Sequence, residues 1–465
     1  MKIKFGTDGW RAIIAKDFTA DNVARAAAGH AAWLKQNFKN PSVVVGHDCR
    51  FCGPLFVETV TKVMLQNGLN VIAVKGFVST PMISLGCKTY GTSGGVIITA
   101  SHNPSEYNGY KLKSGHGGPL LEDDVKAVEK LIPDEIPTDY DAVDLTLAEQ
   151  TGQLTYKDLE SDYCQKVEES FDLEAIRNSK FNFAYDAMYG SGQNVMRRLF
   201  PEITFVHCDH NPLFDGIPPE PILKNLTEFA DIIKLSEDID CGLVTDGDAD
   251  RIGLFDGKGN FIDSHHILLL LTHYLYKYKG WRGKVATGFS TTVKLRKLCE
   301  IYELDFEVVP IGFKHVCGIM LKEDVLVGGE ESGGIAVKGH IPERDGIWNG
   351  MLIWEMMTVT GKSLQDVIAE IYELVGSFAF KREDLTIKES LKQEIIAKCK
   401  AGAYTTFGSR KPIKVEDMDG FKYYFSDTEW AMIRPSGTEP VLRIYAEAAT
   451  YEAAQEILDD VKGLF

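Results

Sequence analysis

The chain has 465 residues, which at about 150 residues per domain calls for roughly three domains, or four, and excludes a single small module. Hydrophobic residues at 44% and charged residues at 25% are globular proportions that exclude global disorder. Lys and Arg total 50 against 67 Asp and Glu, a net charge of -17 with no long basic run, so no nucleic-acid partner is expected.

The N-terminus, Met1-Lys2-Ile3-Lys4-Phe5-Gly6, lacks the apolar core of a secretory signal, and a cytoplasmic location is expected. Three apolar runs follow: 43–45 ending at Gly46-His47-Asp48, 71–74 leading to Ser79-Thr80-Pro81, and 96–98 ending at Thr99-Ala100-Ser101-His102-Asn103-Pro104. Cys49 and Cys52 form one isolated Cys-x-x-Cys without a second pair, and nine scattered cysteines fit reduced thiols better than a disulfide framework. A second group of runs covers 181–185, 203–206 and 242–244, the last ending at Thr245-Asp246-Gly247-Asp248-Ala249-Asp250-Arg251. The most apolar stretch, 267–274, is far shorter than the ~20 residues of a membrane span and predicts a buried helix segment, with no membrane partner. His265-His266 beside it reads as packing rather than a metal site. A third group covers 284–286, 306–309 and 325–327, ending at Gly328-Gly329-Glu330-Glu331-Ser332-Gly333-Gly334. Beyond Gly376 the elements shorten, with strands at 423–425 and 442–445 and a closing amphipathic helix over 451–464.

β-rich runs separated by helical patterns are the signature of βαβ units, and each group's third strand runs into a polar loop. The predicted fold is α/β: three similar α/β/α domains with mixed, largely parallel sheets aimed at a shared site, plus a smaller C-terminal α+β domain. The expected boundaries are 1–150, 151–256, 257–373 and 374–465.

Alternate carboxylates at Asp246, Asp248 and Asp250, with a glycine permitting a tight bend, suit one hard cation such as Mg²⁺ or Ca²⁺. An EF-hand is disfavoured because position twelve from Asp246 is Gly257; a solvated acidic turn is the plainer alternative. Ser101 follows an apolar strand on a proline-stiffened turn, which suits a nucleophile, but Thr99 and Asn103 stand where a hydrolase elbow needs glycines. Lys111, ten residues on, is placed to supply a cation beside a phosphate, and an Asn-Pro turn with a solvent serine is the alternative. Arg434-Pro435-Ser436-Gly437-Thr438-Glu439-Pro440 combines a guanidinium, hydroxyls and a glycine N–H, the inventory of a phosphate cradle or of an ordinary proline-bounded turn. Glu330 and Ser332 look like acceptors for sugar hydroxyls rather than phosphate, with a solvated acidic turn as the alternative, and Phe5-Gly6-Thr7-Asp8-Gly9-Trp10-Arg11 adds an arginine and a hydroxyl beside glycines.

Together these segments, with 46–53 and Tyr107-Asn108-Gly109-Tyr110-Lys111, resemble the α-D-phosphohexomutase superfamily, the phosphoglucomutases and phosphomannomutases, over nearly the whole chain. The resemblance implies four domains around a central cleft, with Ser101 as a phosphoserine that gives and takes the phosphoryl group. It further implies one Mg²⁺ on Asp246, Asp248, Asp250 and that phosphoserine, with His102, Lys111, Arg251 and Arg11 attending the transfer. Thr7, Lys314, Glu330, Ser332, Arg434, Ser436, Gly437 and Thr438 would bind the substrate. The implied reaction interconverts hexose 1-phosphate and hexose 6-phosphate, glucose first and mannose as well, with hexose 1,6-bisphosphate as intermediate and activator. A phosphoglucosamine mutase or a non-catalytic phosphosugar-binding relative is the alternative, and a monomer or homodimer is expected. Two departures stand out: Cys52 replaces a serine common in relatives, and Gly334 replaces a histidine found in many, so no acid or base role is carried over there.

Overall fold

The structure is a computed structural model that describes residues 2–6, 8–236, 238–435 and 441–465. It contains four sheets in sequence, the first three mixed and the last wholly antiparallel.

The first three sheets repeat one topology. In the first, Ser42–His47 lies parallel between Asn70–Val74 and Gly94–Ile98, and Tyr107–Ser114 runs antiparallel along Gly94–Ile98. In the second, Phe183–Asp186 lies between Thr204–Val206 and Cys241–Thr245, with Ile252–Asp256 antiparallel beyond. In the third, Lys284–Gly288 lies between Phe306–Val309 and Val325–Gly329, with Ile335–Val337 antiparallel beyond. The polar loop that ends each of the three strand groups is therefore the reversal between a central parallel strand and its antiparallel neighbour. The central strands are buried almost throughout because helices cover both faces, which is why they read as unbroken apolar runs.

The sequence reading singled out no fourth strand, although Ile252–Asp256 and Ile335–Val337 are buried and largely apolar. Tyr107–Ser114 carries Lys111 and Lys113, both fully buried, so its polar residues mask a core strand.

Three elements lie at or across the expected boundaries. Leu154–Lys157 pairs in parallel with Asn70–Val74, so the first sheet extends past residue 150. Phe261–Ile262 pairs with Leu254 and Phe255, which carries the second sheet past residue 256. Helix Leu364–Val375 straddles the boundary at 373, because Leu364, Val367, Ile371 and Val375 belong to the core of the preceding units. The predicted buried helix is present as Ser264–His273, capped by Asp263, whose side chain accepts from the His266 N–H.

The C-terminal sheet runs in the order Ala379–Thr386, Val441–Ala448, Trp430–Pro435, Phe421–Tyr424, Lys414–Glu416, with helices Glu389–Lys400 and Tyr451–Lys462 packed on it. Strand Ala379–Thr386 escaped the sequence reading because four charged residues in a row, Lys381 to Asp384, fill its middle and none of its residues is buried. All nine cysteines are free thiols. Among the described residues no helix is long and apolar enough to cross a membrane.

Candidate active site

The loops after Ile98 and Thr245 meet head on. Ser101, in a left-handed conformation with φ 51°, donates from Oγ to Asp246 Oδ2 at 2.6 Å. Its backbone carbonyl packs against Gly247, where an added Cβ would collide with it. His102 Nδ1 stands 3.4 Å from Ser101 Oγ. Burial and the charges of Arg251, Arg11 and Lys111 hold His102 well below the usual imidazole range, so the ring is neutral.

The three aspartates are fully buried, and carboxylate oxygens of Asp246, Asp248 and Asp250 lie within 4.8 Å of one another. Asp246 is pushed well above the ordinary carboxylate range by burial and by repulsion from Asp248 and Asp250. Burial would also raise Asp248, but Lys111 at 2.6 Å and the Thr80 hydroxyl at 2.5 Å outweigh it and hold its pKa down. Lys111 Nζ also meets Asp250 Oδ2 at 3.0 Å and Asp8 Oδ2 at 2.8 Å. Burial alone would depress Lys111; Asp248, Asp250 and Asp8 reverse the sign and keep it an ammonium.

Two observations fit this cluster to a divalent cation. Asp248 Oδ1 and Asp250 Oδ1 are buried with no hydrogen-bond partner, which is costly unless a cation meets them. Asp246, held above the ordinary carboxylate range between two like-charged neighbours, is the group a cation would most relieve, and these hard oxygen ligands suit Mg²⁺.

The other residues singled out in the sequence divide into four groups. Arg11 donates to Asn103 Oδ1 at 2.7 Å, and Arg251 gives its backbone N–H to Asp246 Oδ1 at 3.1 Å while its guanidinium faces Glu220 at 3.7 Å. Glu330, buried, accepts from the Gly312 N–H at 2.7 Å; Ser332 is half-buried, and Arg434 is forked onto Asp419 at 3.0 and 3.3 Å. Lys314 pairs with Glu122 at 2.8 Å on the wall of a cavity of about 120 Å³ that Gly6, Asp8 and Gly9 also line. Thr7, Ser436, Gly437 and Thr438 lie outside the described residues.

Sequence reasoning missed Arg344. Its Nη2 reaches Asp8 Oδ2 at 2.7 Å and Asp250 Oδ2 at 2.8 Å, and beside it Glu343 accepts from Lys113 at 2.6 Å. These buried pairs tie the third unit to the first around the acidic loop. The available signal was the charged run Glu343-Arg344-Asp345 directly ahead of the apolar helix Gly346–Thr360. Arg344 also fills the space beside Gly334, where any Cβ would collide with Arg344 Cδ.

Models of phosphoglucomutase/phosphomannomutase α/β/α domains I, II and III match residues 2–138, 161–259 and 263–375, and the C-terminal domain model matches 393–464. A phosphoglucomutase/phosphomannomutase of Thermococcus kodakarensis is 30% identical over 460 residues, covering 98% of this chain and 96% of the relative. A phosphoglucosamine/phosphogalactosamine mutase of Sulfurisphaera tokodaii is 28% identical, covering 98% of each. A crystal structure from Thermus thermophilus, provisionally named a phosphomannomutase, superposes with a TM-score of 0.88 at 32% identity over 100% of this chain and 99% of that one.

Proposed function

The chain belongs to the phosphoglucomutase/phosphomannomutase family, phosphohexomutases of the isomerase class, and on that premise we propose that Ser101 carries the phosphoryl group between the two ends of a hexose phosphate. The observation that carries this reading is the meeting of Ser101 Oγ with Asp246 at 2.6 Å inside a ring of paired charges.

In the forward half-reaction the bond from phosphorus to Ser101 Oγ breaks as a bond forms to the free hydroxyl of a hexose 1-phosphate. The bisphosphate turns around and returns its other phosphate to Ser101. The hydroxyl proton needs an acceptor beside Ser101, and neutral His102 at 3.4 Å is suitably placed. Phosphoryl transfer spreads charge over the peripheral oxygens, so positioned cations supply most of the rate. Lys111, Arg251 and Arg11 serve that role from this chain. A Mg²⁺ held by Asp246, Asp248 and Asp250 would neutralise the phosphoserine oxygens. Added hexose 1,6-bisphosphate activates by recharging Ser101.

Arg434, with Ser436, Gly437 and Thr438, is assigned the non-reacting phosphate, Glu330 and Ser332 the sugar hydroxyls, and Lys314 and Thr7 further contacts to the substrate. Because glucose and mannose share the hydroxyls beyond carbon 2, both are substrates in this reading, glucose the better. A second reading, glucosamine 1-phosphate, draws on the names of the relatives at 28–29% identity. It also draws on Glu330, which burial raises above its ordinary range and which a 2-ammonium group would relieve. Comparing kcat/KM for the 1-phosphates of glucose, mannose and glucosamine, with Mg²⁺ and a trace of each 1,6-bisphosphate, tests both. A clear preference for glucosamine 1-phosphate overturns the first reading, and turnover of none of them overturns the mutase assignment for this site.

A further inference from the structure

Arg50 lies in the loop that follows the first parallel strand, Ser42–His47, and it is 2% exposed. Its guanidinium gathers four backbone carbonyls of the segment carrying Ser101. Nη2 donates to Ser101 O and Asn103 O, each at 2.6 Å, and Nη1 donates to Pro104 O at 2.8 Å and Tyr107 O at 3.0 Å. Asp48 Oδ2 sits 3.4 Å from Arg50 Nε, and its Oδ1 takes the Arg50 backbone N–H at 2.9 Å. Asp48 Oδ2 also accepts from Thr99 Oγ1 at 2.5 Å, and Thr99 Oγ1 in turn accepts the Ser101 N–H at 2.9 Å. Phe214 of the second unit closes the assembly, its ring 4.8 Å from the guanidinium carbon.

This arrangement has a definite consequence for Ser101. A non-glycine residue at φ 51° is strained and persists only where its surroundings over-determine it. Here the Ser101 N–H is tied through Thr99 to Asp48, and the Ser101 carbonyl is tied to Arg50, so both flanking peptides are fixed. Because a trans peptide sets N–H opposite C=O, turning the Ser101 carbonyl toward Arg50 turns the His102 N–H the other way. A planar fork of donors is needed to hold several carbonyls at once, and a lysine ammonium cannot reproduce it.

The second unit has a support at the same topological place. The loop after Phe183–Asp186 carries Ser191, whose N–H and Oγ donate to Gly247 O at 3.0 and 3.2 Å, bracing the acidic loop. In both units the loop after the first strand braces the reactive loop after the third.

We propose that Arg50 is the positioning residue of the phosphoryl-transfer loop: it sets the aim of Ser101 Oγ through the loop carbonyls without touching the sugar phosphate. This rests on the reading of Ser101 as the phosphoryl carrier. A misplacement of about 1 Å is enough to cost roughly 10²-fold in rate.

The test measures phosphorylation of Ser101 by glucose 1,6-bisphosphate, followed by intact mass and peptide mapping, alongside kcat and KM for glucose 1-phosphate. Wild type and Arg50→Lys are compared after matched melting curves. Arg50→Lys is expected to load phosphate and turn over about 10²-fold more slowly, with KM within about threefold of wild type. In Arg50→Ala, added guanidinium is expected to restore at least a tenth of the lost rate, entering the cavity of about 590 Å³ that Arg50 lines. If either variant fails to fold, Thr99→Val, which cuts the link from Asp48 to the Ser101 N–H, is expected to lower kcat about tenfold at unchanged KM. Loading and kcat within threefold of wild type in the folded variants, or a loss falling equally on KM, overturns the proposal. Failure of wild type itself to load Ser101 overturns the phosphoserine reading instead.

Discussion

The three α/β units and the C-terminal domain are joined in different ways. One apolar cluster runs through all three units, from Val44 and Ile97 through Leu243 and Ile267 to Trp354 and Val375. The C-terminal domain has its own core around Ile395, Ile444 and Leu458. It meets the third unit through a small seam of Phe289, Trp430, Met432 and Tyr445. A few polar contacts complete that seam: Lys422 donates to Phe289 O at 3.2 Å, the Ile311 N–H donates to Asp419 at 2.9 Å, and Arg382 pairs with Glu331 at 3.0 Å. The groups proposed for bond making thus sit in one continuous body, while Arg434 is delivered by an attached one. Chemistry tolerates little displacement, whereas a phosphate grip that must serve two orientations of a sugar gains from a lighter attachment.

The largest expected effect breaks the chemical side alone. Ser101→Ala should reduce turnover by roughly four orders of magnitude or more while leaving glucose 6-phosphate binding, read by calorimetry, within a few-fold of wild type. Substantial residual turnover would move the phosphoryl carrier elsewhere. Next, Asp248→Asn should lower activity on the order of 10–100-fold at limiting Mg²⁺, with partial recovery at high Mg²⁺. An unchanged Mg²⁺ requirement would place the metal away from this loop. On the attached side, Arg434→Gln should raise KM about 10–100-fold, the loss of one charge-assisted bond to phosphate, with kcat altered much less. A fall in kcat at constant KM would erase the division of labour.

The smallest effect concerns acid stability. Burial depresses His30 to about 3 and His265 to about 4, so both are neutral in the fold. Between about pH 6.5 and 4 the unfolded chain then binds more protons than the folded one, and these histidines contribute stability that is lost as pH falls through that window. Residues 374–465 contain no histidine, so this loss belongs to the three units. His30→Gln should flatten the dependence of the urea midpoint on pH over that window, and an unaltered slope would contradict it.

The sequence made the reactive loops legible because each follows a buried parallel strand, where an apolar run ends abruptly in Gly, Ser or Asp. The partners of those loops were harder to find. Lys111 was visible only by its distance from Ser101, and its strand was hidden by its own charge. Arg344 lies some 90 residues beyond the acidic loop it touches, and pairing across units leaves no periodic trace. The roles of Thr7 and of 436–438 remain readings of the sequence. The edge strands Leu154–Lys157 and Phe261–Ile262 were missed because pairing, not hydropathy, defines them.

The fit of Arg344 against Gly334 also limits the order in which these two positions can change. Any side chain introduced at 334 meets the Arg344 stem, while shortening Arg344 first removes a partner from both Asp8 and Asp250 and leaves buried negative charge unbalanced. Neither single replacement is neutral, so a descendant with a side chain at 334 has to cross a less fit intermediate or exchange both residues together. The two positions are sterically coupled, and grafting a loop from a relative that bears a side chain at 334 should work only when residue 344 is carried across with it.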